Sequence, residues 1–209
     1  MSALPPRITT LVLAAGLSTR MGRFKPLLPL GGRTALELVI GCHRRAGIMD
    51  IRVVAGHRAD EVRPVAENAG ARVLENPAFR EGMFSSVLCG LRSLRPETEA
   101  FFVHPVDVPL VRPETLSRLK SAWDEGRDLI IHPVFRGRRG HPPLISRQLL
   151  GTLLAWTGEG GLKRVLEPFK SETIGVEVPD EFILLDMDVP QDYQRLAAKK
   201  SAGSSKKKR

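Results

Sequence analysis

The segment from Arg7 to Gly22 constrains the fold more than any other part of the chain. A strand-like run, Arg7 to Ala14, ends in the apolar triplet Leu11-Val12-Leu13 and passes directly into a loop of small residues, Ala15 to Gly22. In open α/β sheets, ligands bind beyond the carboxyl ends of the strands, and small residues there let a ligand approach backbone N–H groups. The rest of the chain keeps to this scheme, with short β-rich runs alternating with amphipathic helical stretches, as in an α/β sheet protein rather than a bundle or sandwich. With 209 residues, 42% of them hydrophobic, the chain is long enough to bury a full core.

Thr34 is placed to cap a helix whose apolar stripe is Leu36, Val39 and Ile40 and which closes near Gly47. A strand over Ile51–Ala55, a helix through Val62 and Val65, and a short strand over Ala71–Leu74 follow. Met83, Val87, Leu91 and Leu94 keep helical spacing. The Phe-Phe-Val run makes Phe101–His104 a buried strand, so Pro105–Pro109 is the loop beyond its carboxyl end. Further on come a helix over Pro113–Trp123, a strand at Leu129–Ile131, a Gly- and Arg-rich turn at Arg136–Gly140 and a strand near Pro143–Ile145. Two short helices, a strand at Thr173–Val178, the segment Ile183–Asp186 and a helix begun by Pro190 close the body.

The loop carries the chemistry. Ala14, Ala15 and Gly16 are small enough for a triphosphate to reach the backbone. Arg20 offers a fork for phosphate oxygens and Lys25 a movable point charge. The segment is not a P-loop, since no Gly-Lys-Ser/Thr ends it, nor is it the Gly-x-Gly-x-x-Gly fingerprint. The order L-A-A-G-x-S-x-R-M-G-x-x-K, carried by Leu13, Ala14, Ala15, Gly16, Ser18, Arg20, Met21, Gly22 and Lys25, instead resembles the signature of the MobA-like nucleotidyltransferases. Within them it is most similar to the molybdenum cofactor cytidylyltransferases.

The resemblance runs from Leu11 to about Tyr193. Asn76-Pro77 with Gly82-Met83-Phe84-Ser85-Ser86 resembles a segment lining the nucleotide and acceptor cleft, Asp107-Val108-Pro109 the Asp-x-Pro loop whose aspartate holds magnesium, and Gly140-His141-Pro142 a segment on the acceptor side. Asp186-Met187-Asp188-Val189-Pro190-Gln191-Asp192 resembles the closing Asp-x-Asp-Thr-Pro-x-Asp element. The chain departs from the pattern at His104-Pro105-Val106, where Gly commonly precedes the aspartate, at Val189 in place of Thr, and at Thr157-Gly158-Glu159-Gly160.

The resemblance implies a Rossmann-like three-layer fold with a mostly parallel mixed central sheet, in one domain over residues 1–198. It implies a nucleotidyltransferase using Mg²⁺, with Arg20, Lys25 and Asp107 catalytic and Leu13, Ala14, Ala15, Gly16, Ser18, Asn76 and Ser86 also at the nucleotide. Ser85, Gly140 and His141 fall on the acceptor side. Asp107 is the first metal ligand and Asp188 the second, with Asp186 close behind; one of that pair also suits capping the helix begun at Pro190. Ser85 and Ser86 equally suit the first turn of a helix. His57, His104 and His132 have no partner pattern and are unassigned.

Relatives that transfer GMP usually carry Gly where this chain has Ala15, and a methyl crowds a purine more than a pyrimidine, which favours CTP over GTP. The implied acceptor is Mo-molybdopterin, with a molybdoenzyme or cofactor-delivery protein as a possible partner. The same fold also admits a guanylyltransferase, a sugar-phosphate or phospho-acid acceptor, or a cofactor chaperone.

The formal charge is +9, but six of those charges, Lys199, Lys200, Lys206, Lys207, Lys208 and Arg209, stand in the last eleven residues without an acid among them. The body is therefore only weakly basic, and with one Tyr, two Trp and no nucleic-acid motif it is not expected to bind nucleic acid. The tail from Lys199 to Arg209 is expected to be disordered. Cys42 and Cys89 match no metal or redox spacing and read as buried free thiols. No signal-peptide pattern and no apolar run of about 20 residues occurs, so the expectation is a soluble cytoplasmic protein without a membrane span.

Overall fold

In this computed structural model, residues 7–123 and 128–205 are described. Strand β1 (Ile8–Leu13) is followed by a two-strand pairing of β2 (Pro29–Leu30) with β3 (Arg33–Thr34) and by helix α1 (Ala35–Arg45). Then come β4 (Asp50–Ala55), α2 (Ala59–Asn68), β5 (Arg72–Glu75), α3 (Met83–Arg92) and β6 (Ala100–Pro105). Helix α4 (Pro113–Ala122) precedes β7 (Ile130–Phe135), β8 (Arg138–Arg139) and β9 (Leu144–Ser146). The chain ends in the short helices α5 (Leu150–Ala155) and α6 (Gly161–Val165), then β10 (Thr173–Glu177) and α7 (Pro190–Ser205).

The main sheet runs β10-β7-β9-β6-β1-β4-β5, with β8 paired to β7. β1 pairs in parallel with both β4 and β6, and β4–β5 and β7–β10 are parallel as well. β9 is inserted antiparallel between β6 and β7. This is the mixed, mostly parallel sheet that the sequence led us to expect.

Alternation along the strands divides the core into two layers. Val12 packs with Leu36, Val39, Ile40, Val53 and Val62, which places α1 and α2 on one face. Phe102, Ile131 and Leu144 meet Leu116 and Leu119 of α4 on the same side. Leu11, Leu13, Val54 and Val103 turn the other way and bury Val87, Leu91, Leu149, Leu153 and Val165 of the opposite layer. Helices on both faces make β1, fully buried along its length, the centre of three layers.

Thr34 caps α1 as its position in the sequence predicts, and it does so in a full capping box. Its hydroxyl accepts from Glu37 N at 3.2 Å, and the Glu37 carboxylate accepts from Thr34 N at 2.7 Å. The Arg136-Gly137 corner is a hairpin turn with φ of 51° and 74°, the doubly positive signature of a type I′ turn.

Two expectations need correction. Helix α7 continues to Ser205, through the start of the tail expected to be disordered from Lys199. Ala and Lys are good helix formers, and Lys199 donates to both carboxylate oxygens of Glu181 at 2.8 and 2.9 Å; residues 206–209 lie outside the described residues. Cys42 is buried, donates to Val111 O at 3.0 Å and has its thiol pushed up to about 12 by burial, but Cys89 is only half-buried. Within the closing segment, a short 3-10 turn covers Glu181–Leu184.

Replacing Thr34 by Ala removes the hydroxyl that accepts the Glu37 N–H and is expected to cost about 1 kcal/mol. Equilibrium urea unfolding checks this, with Thr34→Ser expected to retain nearly the parent midpoint.

Candidate active site

The loop after β1 is fastened by its backbone. Ala14 N donates to Val54 O at 2.9 Å, Val106 N to Leu13 O at 3.1 Å and His57 N to Ala15 O at 3.2 Å. Leu13, Ala14 and Ala15 are thus buried between the ends of β4 and β6, while Gly16 is exposed and a Cβ there would meet nothing within 4 Å. Ser18 takes a left-handed conformation, φ 59°, and its hydroxyl accepts from Lys25 N at 3.1 Å. That bond draws the loop closed so that Arg20 and Lys25 emerge at the same edge.

There the predicted charged residues meet. Lys25 Nζ lies 3.3 Å from Asp107 Oδ2 and 2.7 Å from Asp188 Oδ1, and Arg20 Nη1 lies 3.0 Å from Asp188 Oδ2. Two cations balance two carboxylates. Burial pushes the Asp107 carboxyl above its ordinary range, opposed by Lys25 and reinforced by Asp188 and Asp186. The Lys25 hydrogen bond, with help from Arg20, holds Asp188 below its ordinary range.

The helix-capping alternative for Asp188 is resolved by its neighbour, since Asp192 Oδ2 accepts from both Asp188 N and Val189 N at 3.2 and 3.1 Å. The Asp188 carboxylate is left for the cluster. One detail is reversed relative to the sequence reading: the Lys25 side chain is only 12% exposed and held on two carboxylates, whereas that of Arg20 is 70% exposed and held on one.

Inserting β9 antiparallel beside β6 brings the Gly140-His141-Pro142 segment to this edge. The register pairs Phe102 with Leu144, and Val103 N donates to Pro143 O, so His141 falls beside Pro105. His141 is exposed, and desolvation lowers its pKa, opposed by Asp107 and Asp186. Gly140 has a packing reason to be glycine: an added Cβ would lie 2.4 Å from Ile183 O, whose carbonyl accepts from His141 N.

Asn76, Ser85 and Ser86 come together, but as a knot. The Asn76 amide donates to Ser85 Oγ at 2.9 Å and to Ser86 Oγ at 3.0 Å, its carbonyl accepts from Ala78 N, and Ser85 Oγ donates onward to Ala78 O and Gly82 O. Asn76, 4% exposed, thereby pins the β5 loop to the start of α3, which favours the first-turn reading of the two serines. Sequence reasoning missed a third arrangement, a buried chain through Thr10, His43 and His104 to Val108 O. Its members are 33 and 61 positions apart, so no local signal reveals it.

Among the described residues no group of three or more His, Cys, Asp or Glu is placed to hold a metal, and none of the helices is long and apolar enough to cross a membrane. Asp107 and Asp188 nevertheless suit a hard divalent cation. Mg²⁺ binds through one or two carboxylates plus substrate phosphates, and a lysine ammonium already stands against both groups.

An α/β sheet with cations and paired carboxylates gathered beyond β1 and β6 is the arrangement expected of a nucleotidyltransferase. Residues 10–174 match the MobA-like NTP transferase domain, and the chain belongs to that family. It is 28% identical to the molybdenum cofactor cytidylyltransferase of Escherichia coli K12 over 89% of this chain and 93% of that protein. It is 30% identical to nicotine blue oxidoreductase of Paenarthrobacter nicotinovorans over 91% and 97%. A nucleotidyl transferase from Methanothermobacter thermautotroptrophicus superimposes with a TM-score of 0.82 at 27% identity, over 94% of this chain and 98% of the other. Rv0371c of Mycobacterium tuberculosis H37Rv in complex with manganese does so with 0.73 at 27%, over 93% and 100%.

Replacing Asn76 by Ala leaves the Ser85 and Ser86 hydroxyls without their donor and Ala78 N without its acceptor. We expect a loss of about 1–3 kcal/mol, measured by urea unfolding, together with faster amide hydrogen exchange confined to the Ala78–Ser86 segment.

Proposed function

We propose that this protein transfers CMP from CTP to Mo-molybdopterin and releases pyrophosphate, forming the cytosine dinucleotide cofactor. The observation that carries this reading is the meeting of Lys25, Arg20, Asp107 and Asp188, from three separate segments, at the carboxyl edge of β1 and β6. The 28% identity to a molybdenum cofactor cytidylyltransferase over nearly all of both chains supports the choice of substrates. Mg²⁺, held by Asp107 and Asp188 with phosphate oxygens completing its shell, would supply positive charge at the α-phosphate; the manganese-bound neighbour supports a divalent ion here.

An acceptor phosphate oxygen attacks the α-phosphorus in line with departing pyrophosphate, so the protein's work is positioning and neutralisation. The open Gly16 backbone gives the phosphates room, exposed Arg20 swings from Asp188 onto phosphate oxygens, and Lys25 stays between carboxylates and nucleotide. Ala15 is buried where the position of a Gly56 Cβ would lie 3.0 Å from its own, so this corner is already closed. That tightness favours the smaller pyrimidine. His141 and the exposed Arg138 and Arg139 stand on the side we give to the anionic acceptor, and a molybdoenzyme or delivery protein is the expected recipient.

The 30% identity to an oxidoreductase favours a second reading, in which the same fold turns over an electron donor instead. One assay divides them. Pyrophosphate release is measured with Mg²⁺ and CTP, GTP, ATP or UTP, with and without Mo-molybdopterin. Acceptor-dependent release with CTP is the expected result. GTP-dependent release would move the protein to guanylyl transfer, and donor oxidation without pyrophosphate would establish the oxidoreductase reading. Asp107→Ala is expected to abolish release while circular dichroism stays unchanged, and full Mg²⁺-dependent activity in that variant would remove Asp107 from the site.

A further inference from the structure

His43 and His104 are both 0% exposed, and neither has a part in the chemistry above. They join end to end in a hydrogen-bonded chain. Thr10 Oγ1 lies 2.8 Å from His43 Nδ1, His43 Nε2 lies 2.8 Å from His104 Nδ1, and His104 Nε2 lies 2.9 Å from Val108 O. The chain crosses from β1 through α1 to β6 and ends one residue beyond Asp107.

The direction of every bond in this chain is fixed by its last member. A carbonyl oxygen only accepts, so His104 carries its proton on Nε2, and in a neutral ring Nδ1 is then an acceptor. His43 must donate from Nε2, which leaves its own Nδ1 to accept from the Thr10 hydroxyl. Both rings are neutral: burial lowers His104 to about 4 and holds His43 well below its ordinary value, and His141 near His104, like His104 near His43, pushes in the same direction.

Besides Lys25 on the Asp107 carboxylate, this turn is tied by backbone bonds. Val108 N donates to Pro105 O at 3.2 Å, Val106 N to Leu13 O at 3.1 Å and Met187 N to Asp107 O at 2.9 Å. These bonds fix where the turn sits. The Val108 carbonyl belongs to the Val108–Pro109 peptide, the second beyond Asp107, so holding it fixes the backbone that leaves the turn next to the Asp107–Val108 peptide, whose own O and N are bonded to Met187 N and Pro105 O.

We infer that Thr10, His43 and His104 are positioning residues, a one-way buried hydrogen-bond chain that holds the Val108–Pro109 peptide and so keeps the turn bearing the Asp107 carboxylate in place at the cation site. Groups that hydrogen-bond a metal ligand directly change affinity or activity by about 10–100-fold when removed, and this chain, which acts one residue beyond Asp107, is expected at the low end of that range. The inference rests on Asp107 as a metal ligand, and the test separates the two.

Mn²⁺ alone is titrated onto the parent protein, His104→Leu, His104→Gln and Asp107→Ala, and free Mn²⁺ is read by electron paramagnetic resonance. His104→Leu, which cannot donate to Val108 O, is expected to weaken binding about tenfold. His104→Gln, whose amide can donate, is expected to recover most of that loss even where both variants melt at lower temperature. Asp107→Ala losing Mn²⁺ while His104→Leu binds within twofold of the parent would overturn the positioning role alone. Parent-like binding by Asp107→Ala would overturn it together with the metal assignment. The ring-nitrogen NMR shifts of the parent protein give an answer even if His104→Leu does not fold: both rings are expected as Nε2–H tautomers, and an Nδ1–H or protonated ring at neutral pH would overturn the inference.

Discussion

Strand β1 is paired in parallel on both sides along its length and buried on both faces, and every part of the site depends on that placement. Parallel neighbours all end at the same edge. The loops after β1, β4, β5 and β6 therefore open together, and the first and last are stitched by Val106 N to Leu13 O. β9 runs the opposite way, so it is its beginning that reaches this edge, and His141 arrives beside the Asp107 turn from the far side. A single edge gathers residues that the chain keeps far apart.

Gathering charges has a cost that the geometry limits. Burial makes Asp107 costly to keep ionised, and Lys25 is the group that offsets this, contacting Asp107 and Asp188 together. The two cations differ in what they can do next. A mostly exposed ion pair contributes little stability, so Arg20 can leave Asp188 for a phosphate at small cost. Lys25 cannot leave as cheaply, because its departure strands a mostly buried carboxylate. Arrival of a divalent cation with the nucleotide would relieve Lys25 of part of that duty and free it to face phosphate.

Local signals in the sequence were readable and long-range ones were not. The strand-to-loop junction at Leu13–Gly22, the Thr34 cap and the Asp107 loop each lie within a dozen residues, and each was found in its expected place. The paired carboxylates were legible only because the motifs resemble a known family; nothing local brings Asp188 to Lys25, 163 residues away. Asn76 was recognised by motif, but its use was not, since tying two serines depends on how β5 meets α3. The β2–β3 pairing went unread because two-residue strands leave no periodicity, and α7 ran past its expected end because composition understates a helix of Ala and Lys anchored on Glu181.

His104 stands out as the residue whose burial the fold alone does not explain. A leucine would fill the space, but it would leave the buried Val108 carbonyl unpaired at about 1–3 kcal/mol. A serine or asparagine would be too short to meet both Val108 O and the ring of His43. Two imidazoles reach from β1 to the turn, and because each accepts on one nitrogen and donates on the other, they pass the bond along without adding charge. That neutrality matters beside a cluster in which two cations balance two carboxylates: a lysine doing the same job would add a third positive charge behind Asp107 and weaken its pull on any cation in front.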